Sequence, residues 1–215
     1  MVLDESEERS LRGLQLLNAC IQVRNPKLAL QQLVDDAACI PSLSKLLDAG
    51  RSRHIQLETC KLLAIVVSNF TDAKMEAVKT GCVPKLLALI AQSSDVVLAS
   101  AAAAALMNIT VLRDGKYAVI ESPDGLRTLS ERLDPSREQL CTSVCQTIAN
   151  VAEAPEARPL LAECGAVARL ASIHGEQAHP DIVRRSAAEA LRQCQFAHLP
   201  FQPLPGRTVD PADHP

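Results

Sequence analysis

Cys141 and Cys145 stand four residues apart, so on a helix both thiols project from one face. Two thiols are half of a zinc site, and no CxxC pair or second His/Cys cluster supplies the other half. The five histidines, at 54, 174, 179, 198 and 214, form no HExxH. His174 and His179 flank the segment 175–178 and read as loop residues, as does His54 in the small basic run Arg51-Ser52-Arg53-His54. Asp35-Asp36 is a carboxylate pair, but neighbours in sequence do not face one another across a scissile bond, and the pair fits a helix end better. There is no glycine-rich phosphate loop and no GxSxG. No nucleophile, base and orienting group come together. The sequence therefore predicts no catalytic residue, no metal and no cofactor, and a protein that binds rather than reacts.

Composition narrows what it could bind. Of 215 residues 47% are hydrophobic, enough for a continuous core, yet only 2% are aromatic: three Phe, one Tyr and no Trp. The core must be Leu, Ile, Val and Ala, and no aromatic platform is available for stacking bases. A net charge of −3 gives no electrostatic footprint for a phosphate backbone. The acidic start Asp4-Glu5-Ser6-Glu7-Glu8 is neither a secretory signal nor a transit peptide, and the stretch 96–107 falls short of the about 20 residues a bilayer requires. Neither nucleic acid, membrane nor small-molecule substrate is expected. The reading is a soluble intracellular chain with its eight cysteines reduced, most of them serving as small buried apolar groups.

The elements that carry these residues repeat. Gly81-Cys82-Val83-Pro84-Lys85-Leu86-Leu87 has counterparts 43 residues earlier at Ala38-Cys39-Ile40-Pro41, 43 later at Asp124-Gly125-Leu126, and a further 41 on at Gly165-Ala166-Val167. Ala105-Leu106-Met107-Asn108-Ile109 corresponds to Thr147-Ile148-Ala149-Asn150-Val151 and to Ala190-Leu191-Arg192-Gln193-Cys194; Ala64 to Ser68 and Leu16-Leu17-Asn18-Ala19 match less closely. Shorter elements precede each turn, at 73–80, 116–121, 157–164 and 26–34. Each unit reads as a short helix, a turn, a middle helix, a loop and a long helix, with apolar residues at three- and four-residue spacing. Gly81 and Gly165 supply turns with positive φ, and Pro41 and Pro84 fit the first turn of a helix. Stacked units bury an apolar stripe that one unit alone cannot. The incomplete first unit predicts an exposed apolar edge at Leu11, Leu14, Leu16 and Leu17. Arg185 and Arg192 share a face of the last long helix, either as a polar cap on the array or as a docking face for an acidic partner. The proline-rich residues 197–215 read as an extended tail, either a free end or a segment that folds back or docks on a partner.

The run Gly81 to Leu87 followed by Ala105 to Ile109 closely resembles the armadillo consensus. The resemblance implies an all-α, right-handed armadillo-type α-solenoid, a superhelix of three-helix repeats over 1–196 with one partial and about four further units. In that family an Asn of the third helix faces a concave groove and bonds an extended ligand. The matching residues are Asn108 and Asn150; an inter-repeat or helix-terminal hydrogen bond is the other role open to them. Gln193 is a weaker substitute and Val67 has lost the group. Four residues earlier, where nuclear-import adaptors repeat a Trp, stand Ala104 and Gln146, which argues against recognition of nuclear-localisation signals.

A narrower likeness lies in Asn108-Ile109-Thr110-Val111, Gly115-Lys116-Tyr117-Ala118 and Ala152-Glu153-Ala154-Pro155-Glu156-Ala157-Arg158. These are similar to segments of the radial spoke head protein 14 family of motile cilia and flagella, and 190–203 is loosely similar to that family's end. The likeness covers the C-terminal half well and the N-terminal half only as generic armadillo; members of the family usually carry more repeats, so this chain looks shortened. It implies a structural subunit of the axonemal radial spoke whose partners are other spoke proteins. The alternative is a soluble adaptor that binds extended peptides of signalling or chaperone partners.

Overall fold

The computed structural model describes residues 5–23, 30–31, 34–35 and 38–196. The expected tail 197–215, residue Asp36 and most of the expected short element 26–34 lie outside the described residues. Within them the chain is all-helical. Helix α1 is Glu5–Val23, α2 Cys39–Leu46 and α3 Arg53–Asn69. Three triads follow: α4 Thr71–Lys79, α5 Cys82–Gln92 and α6 Val96–Ile109; α7 Arg113–Glu121, α8 Gly125–Glu131 and α9 Glu138–Ala152; α10 Ala157–Glu163, α11 Ala166–Gly175 and α12 Asp181–Gln195.

Local chemistry explains where the helices start and stop. Asp95 caps α6 by accepting from the Val97 amide at 3.0 Å, and the Ala-rich run that follows has the highest helix propensity available. Pro41 and Pro84 fall in the first turns of α2 and α5, where a missing N–H costs little. The turn before each middle helix needs a left-handed residue: Gly81 has φ 73° and Gly165 φ 80°. The third unit makes the same turn with Asp124 at φ 55°, a conformation that costs any residue with a Cβ.

The third helices carry the packing. Neighbours in the row α1, α3, α6, α9, α12 pack on one another, and α5 and α11 pack on the third helix of their own unit. Helix α6 therefore buries Leu98, Ala99, Ala102, Ala103, Ala105, Leu106 and Ile109 on nearly all sides at once. Its alanines let α3 and α9 approach closely while the leucines fill the gaps. Each fully buried Leu, Ile or Val contributes about 1.5–3 kcal/mol relative to exposure. Leu62, Leu63, Leu86, Leu106, Leu140 and Ile148 belong to this continuous core.

Polar ties repeat with the units. Ser44 Oγ donates to the Thr80 carbonyl at 2.8 Å, and Ser130 Oγ donates to the Cys164 carbonyl at 3.0 Å. In both cases a buried middle-helix serine satisfies the carbonyl at the end of the next unit's short helix. Lys85 Nζ reaches back to the Ser44 carbonyl and to Asp48, each at 2.8 Å. Arg53 pairs with Asp95 across the loops that start α3 and α6.

Three sequence expectations need correction. His174 lies in the last turn of α11 and His54 in the first turn of α3, because helical hydrogen bonding extends past the polar residues that suggested loops. Of the expected apolar edge, Leu14 is buried and Leu11 is half-buried against the core, because α1 lays that face on α3. Leu16 and Leu17 remain exposed, at 66% and 39%.

The described cysteines fill the core as expected: Cys39, Cys60, Cys82, Cys141 and Cys145 are buried free thiols. Burial pushes Cys60 up to about 12 from an ordinary 9.0, and Cys82 beside it is raised as well. Burial and the adjoining Cys141 also raise Cys145.

Two stability predictions result. Gly81→Ala should cost about 1–2 kcal/mol in urea denaturation, the penalty of a Cβ at left-handed φ, whereas Asp124→Gly should be neutral or stabilising by up to about 1 kcal/mol. Equal losses at both positions would contradict the shared turn geometry. The second concerns pH. Between about pH 9 and 12 folded Cys60 keeps its proton while the unfolded chain loses it. The unfolded state then binds fewer protons, and stability falls with rising pH by about 1.4 kcal/mol per unit for each such thiol. The slope of unfolding free energy between pH 9 and 10.5 should be shallower in Cys60→Ala, and an unchanged slope would refute the buried-thiol account.

Candidate functional site

The third helices α3, α6, α9 and α12 lie in a row and leave one face open. On α6 that face reads Val97, Ser100, Ala101, Ala104, Asn108 and, just past the helix, Val111; on α9 it reads Gln139, Thr142, Ser143, Gln146, Asn150 and Glu153; on α12 it reads Ile182, Glu189 and Gln193. These positions recur every three or four residues, as one side of a helix must.

The groove has two chemically different ends. Near the helix C-termini is a cavity of about 300 Å³ lined by Asn108, Gln146, Asn150, Gln193, Glu153 and Glu189 together with Met107, Val111 and Ala149. Four of the six residues singled out from sequence, Asn108, Asn150, Gln146 and Gln193, are thus brought together. Near the helix N-termini is a second cavity of about 430 Å³, floored by Ser100, Ala101, Ala104 and Ser143 and flanked by Val97 and Ile182, which are 57% and 47% exposed.

The other two residues stand apart. Arg192 is exposed, pairs with Glu189, and lines a separate hollow at the end of the array with His174, Ala188, Leu191, Gln195 and Phe196. Arg185 is exposed and its Nε donates to the Asp181 carbonyl at 3.3 Å.

The asparagines are engaged between helices. Asn108 Nδ2 donates to the Ala64 carbonyl of α3 at 3.3 Å. Asn150 Nδ2 donates to the Met107 carbonyl of α6 at 3.1 Å and lies 3.2 Å from Thr110 Oγ1. Asn18, noticed in the sequence only as part of a repeat, is 7% exposed and donates to the Glu58 carbonyl and carboxylate at 3.1 and 2.8 Å. It reaches forward from α1, whereas Asn108 and Asn150 reach back. Val67, at the corresponding place on α3, is buried and offers no amide to reach back with.

Sequence reasoning missed the two carboxylates. Glu153 lies three residues after Asn150 and Glu189 four before Gln193, so helical spacing alone puts them beside residues already singled out. Lys116, nearly enclosed, pairs with Glu153. Glu189 accepts from Arg192 and from Gln193, and the nearby guanidinium holds its carboxyl below the usual range. Both cations sit at the rim, so the hollow itself presents oxygen acceptors and amides. The arrangement can bind a polypeptide by burial and by carboxylate-to-cation pairing.

Among the described residues no cluster of three His, Cys, Asp or Glu side chains could hold a metal ion, and no helix is long and apolar enough to cross a membrane.

No family model matches the chain. Radial spoke protein 14 of Chlamydomonas reinhardtii is 45% identical over 198 residues, which are 92% of this chain and 51% of that protein, so the chain spans about half the length of this relative. Among solved structures, an engineered protein superposes with a TM-score of 0.76 at 24% identity, covering 89% of this chain and 75% of its own. Computationally designed armadillo repeat proteins for modular peptide recognition give 0.75 at 23% identity over 88% and 77%. A designed armadillo repeat protein in complex with the peptide (KR)4 gives 0.74 at 24% identity over 89% and 77%. These three establish the fold and the first establishes kinship by sequence: the chain is an armadillo-type α-solenoid related to radial spoke protein 14.

Proposed function

We propose that this chain is a non-catalytic scaffold subunit of the radial spoke of motile cilia and flagella, holding other spoke proteins in place. The observation that carries the reading is the 45% identity to radial spoke protein 14 over 92% of this chain. The architecture supports it. A row of stacked helices buries its own core through nearest-neighbour contacts and presents a long continuous surface, which suits a part that must span and hold rather than open and close. The contact surface is the groove containing Asn108, Gln146, Asn150 and Gln193, with Arg185 and Arg192 as a second face toward an acidic partner. The protein's place is then the axoneme, within the cytoskeleton of the cilium or flagellum, and not the free cytoplasm.

The alternative of a soluble adaptor that binds extended peptides has one observation in its favour: the groove collects amide side chains from three successive third helices. Against it stand the hydrogen bonds that already occupy the asparagine donors.

Fractionation separates the two. The tagged full chain, expressed in cells with motile cilia, should remain with demembranated axonemes after salt extraction and should be depleted from axonemes that lack spokes. Recovery in the soluble fraction, or equal retention on spokeless axonemes, would overturn the spoke reading.

A further inference from the structure

We infer that the groove takes an amphipathic α-helix carrying a basic group at one end, and not an extended peptide. The inference rests on the protein-binding reading above and names the kind of segment that binds.

A buried peptide backbone must have its N–H and C=O groups satisfied. An extended segment cannot satisfy its own, so the groove would have to supply donors and acceptors along its length. Here the donors are spent. Asn108 is committed to the Ala64 carbonyl at 3.3 Å and Asn150 to the Met107 carbonyl at 3.1 Å. The rest of the floor, Ala101 and Ala104, has no side-chain polar atom, and Ser100 Oγ donates to the Val96 carbonyl of its own helix at 2.6 Å. A helix brings its backbone bonds already made and needs only an apolar stripe and room.

The groove offers both. The cavity of about 430 Å³ has a floor of small side chains that allow close approach, between the exposed Val97 and Ile182. This is the geometry of a helix laid in a groove, read through apolar anchors three and four residues apart. The adjoining cavity of about 300 Å³ sets polarity and charge: Glu153 and Glu189 face it, so a Lys or Arg at the corresponding end of the incoming helix is complementary.

The test is selection of a random peptide display library on the full chain, followed by fluorescence anisotropy of enriched sequences. Proline-free peptides with apolar residues at i, i+3, i+4 and i+7 and a Lys or Arg toward one end should emerge. Replacing two central residues of such a peptide by proline should weaken binding at least about tenfold. In the protein, Ala104→Leu should fill the floor and weaken binding about tenfold. Ile182→Asp, at an exposed position in the first turn of α12, provides the same readout without touching the core. Asn150→Ala should lower stability but change affinity less than about twofold below its melting temperature. Enrichment of proline-containing or alternating Lys-Arg peptides, enrichment of nothing, or a loss in Asn150→Ala equal to that in Ile182→Asp would overturn the inference. None of those results would affect retention on spokes, so the two readings fail separately.

Discussion

A third helix such as α6 is apolar around most of its circumference, and such a helix is stable in water only when other helices cover it. The fold follows from that demand. Helix α3 covers one side of α6, α9 the opposite side and α5 a third. Each covering helix has the same need and passes it to its neighbour, so the units propagate in a row instead of closing into a ball. The concave strip left open is the part of the circumference that carries Ser100, Ala101, Ala104 and Asn108, small or polar side chains that tolerate water. Core and binding surface are two faces of one requirement on one helix.

The hydrogen bonds that stitch the row answer a second demand. Where neighbouring third helices approach, carbonyls near their C-terminal ends turn toward the seam. Asn108 and Asn150 satisfy two of these, and Ser44 and Ser130 do the same work at the ends of the short helices. Each tie contributes only about 1 kcal/mol net, but an unpaired buried carbonyl costs about 1–3 kcal/mol. Their main effect is on register: a slip along the helix axis would break every tie at once, whereas leucine and alanine contacts tolerate small shifts.

Much of this was legible in the sequence because repetition amplifies weak local signals. One Cys-Val-Pro-Lys-Leu-Leu run says little; its recurrence at Cys39 and, less closely, at Gly125 and Ala166 fixes the middle helices to within a residue or two. Gly81 and Gly165 could be assigned positive φ from residue type alone. Asp124 could be placed at the same turn only by alignment of the repeat, since its type does not ask for left-handed backbone. What stayed hidden depends on neighbours in space. The sequence put Asn108 and Asn150 on the right face and left two roles open, partner binding and inter-repeat bonding. Which one their amides adopt is decided by the carbonyls of residues 43 and 44 positions away. Glu153 and Glu189 were readable from spacing but carried no motif to draw attention. Leu11 and Leu14 looked like a bare edge because nothing local announces that α1 lies on α3.

The use of asparagine separates this groove from one built to clamp a peptide backbone. A side-chain amide has two N–H donors and one acceptor. When a donor is directed sideways into the seam, the amide plane is fixed by that bond and no longer turns to follow a ligand. The absence of tryptophan acts in the same direction, because Ala104 and Gln146 leave shallow space where a large ring would wall off separate pockets for successive residues of an extended chain. Seams that are internally satisfied and a floor without walls favour a partner that is itself already folded. That is a sensible match for a subunit of a permanent assembly: neither side has to order a backbone on meeting the other, so less of the contact energy is lost to conformational entropy.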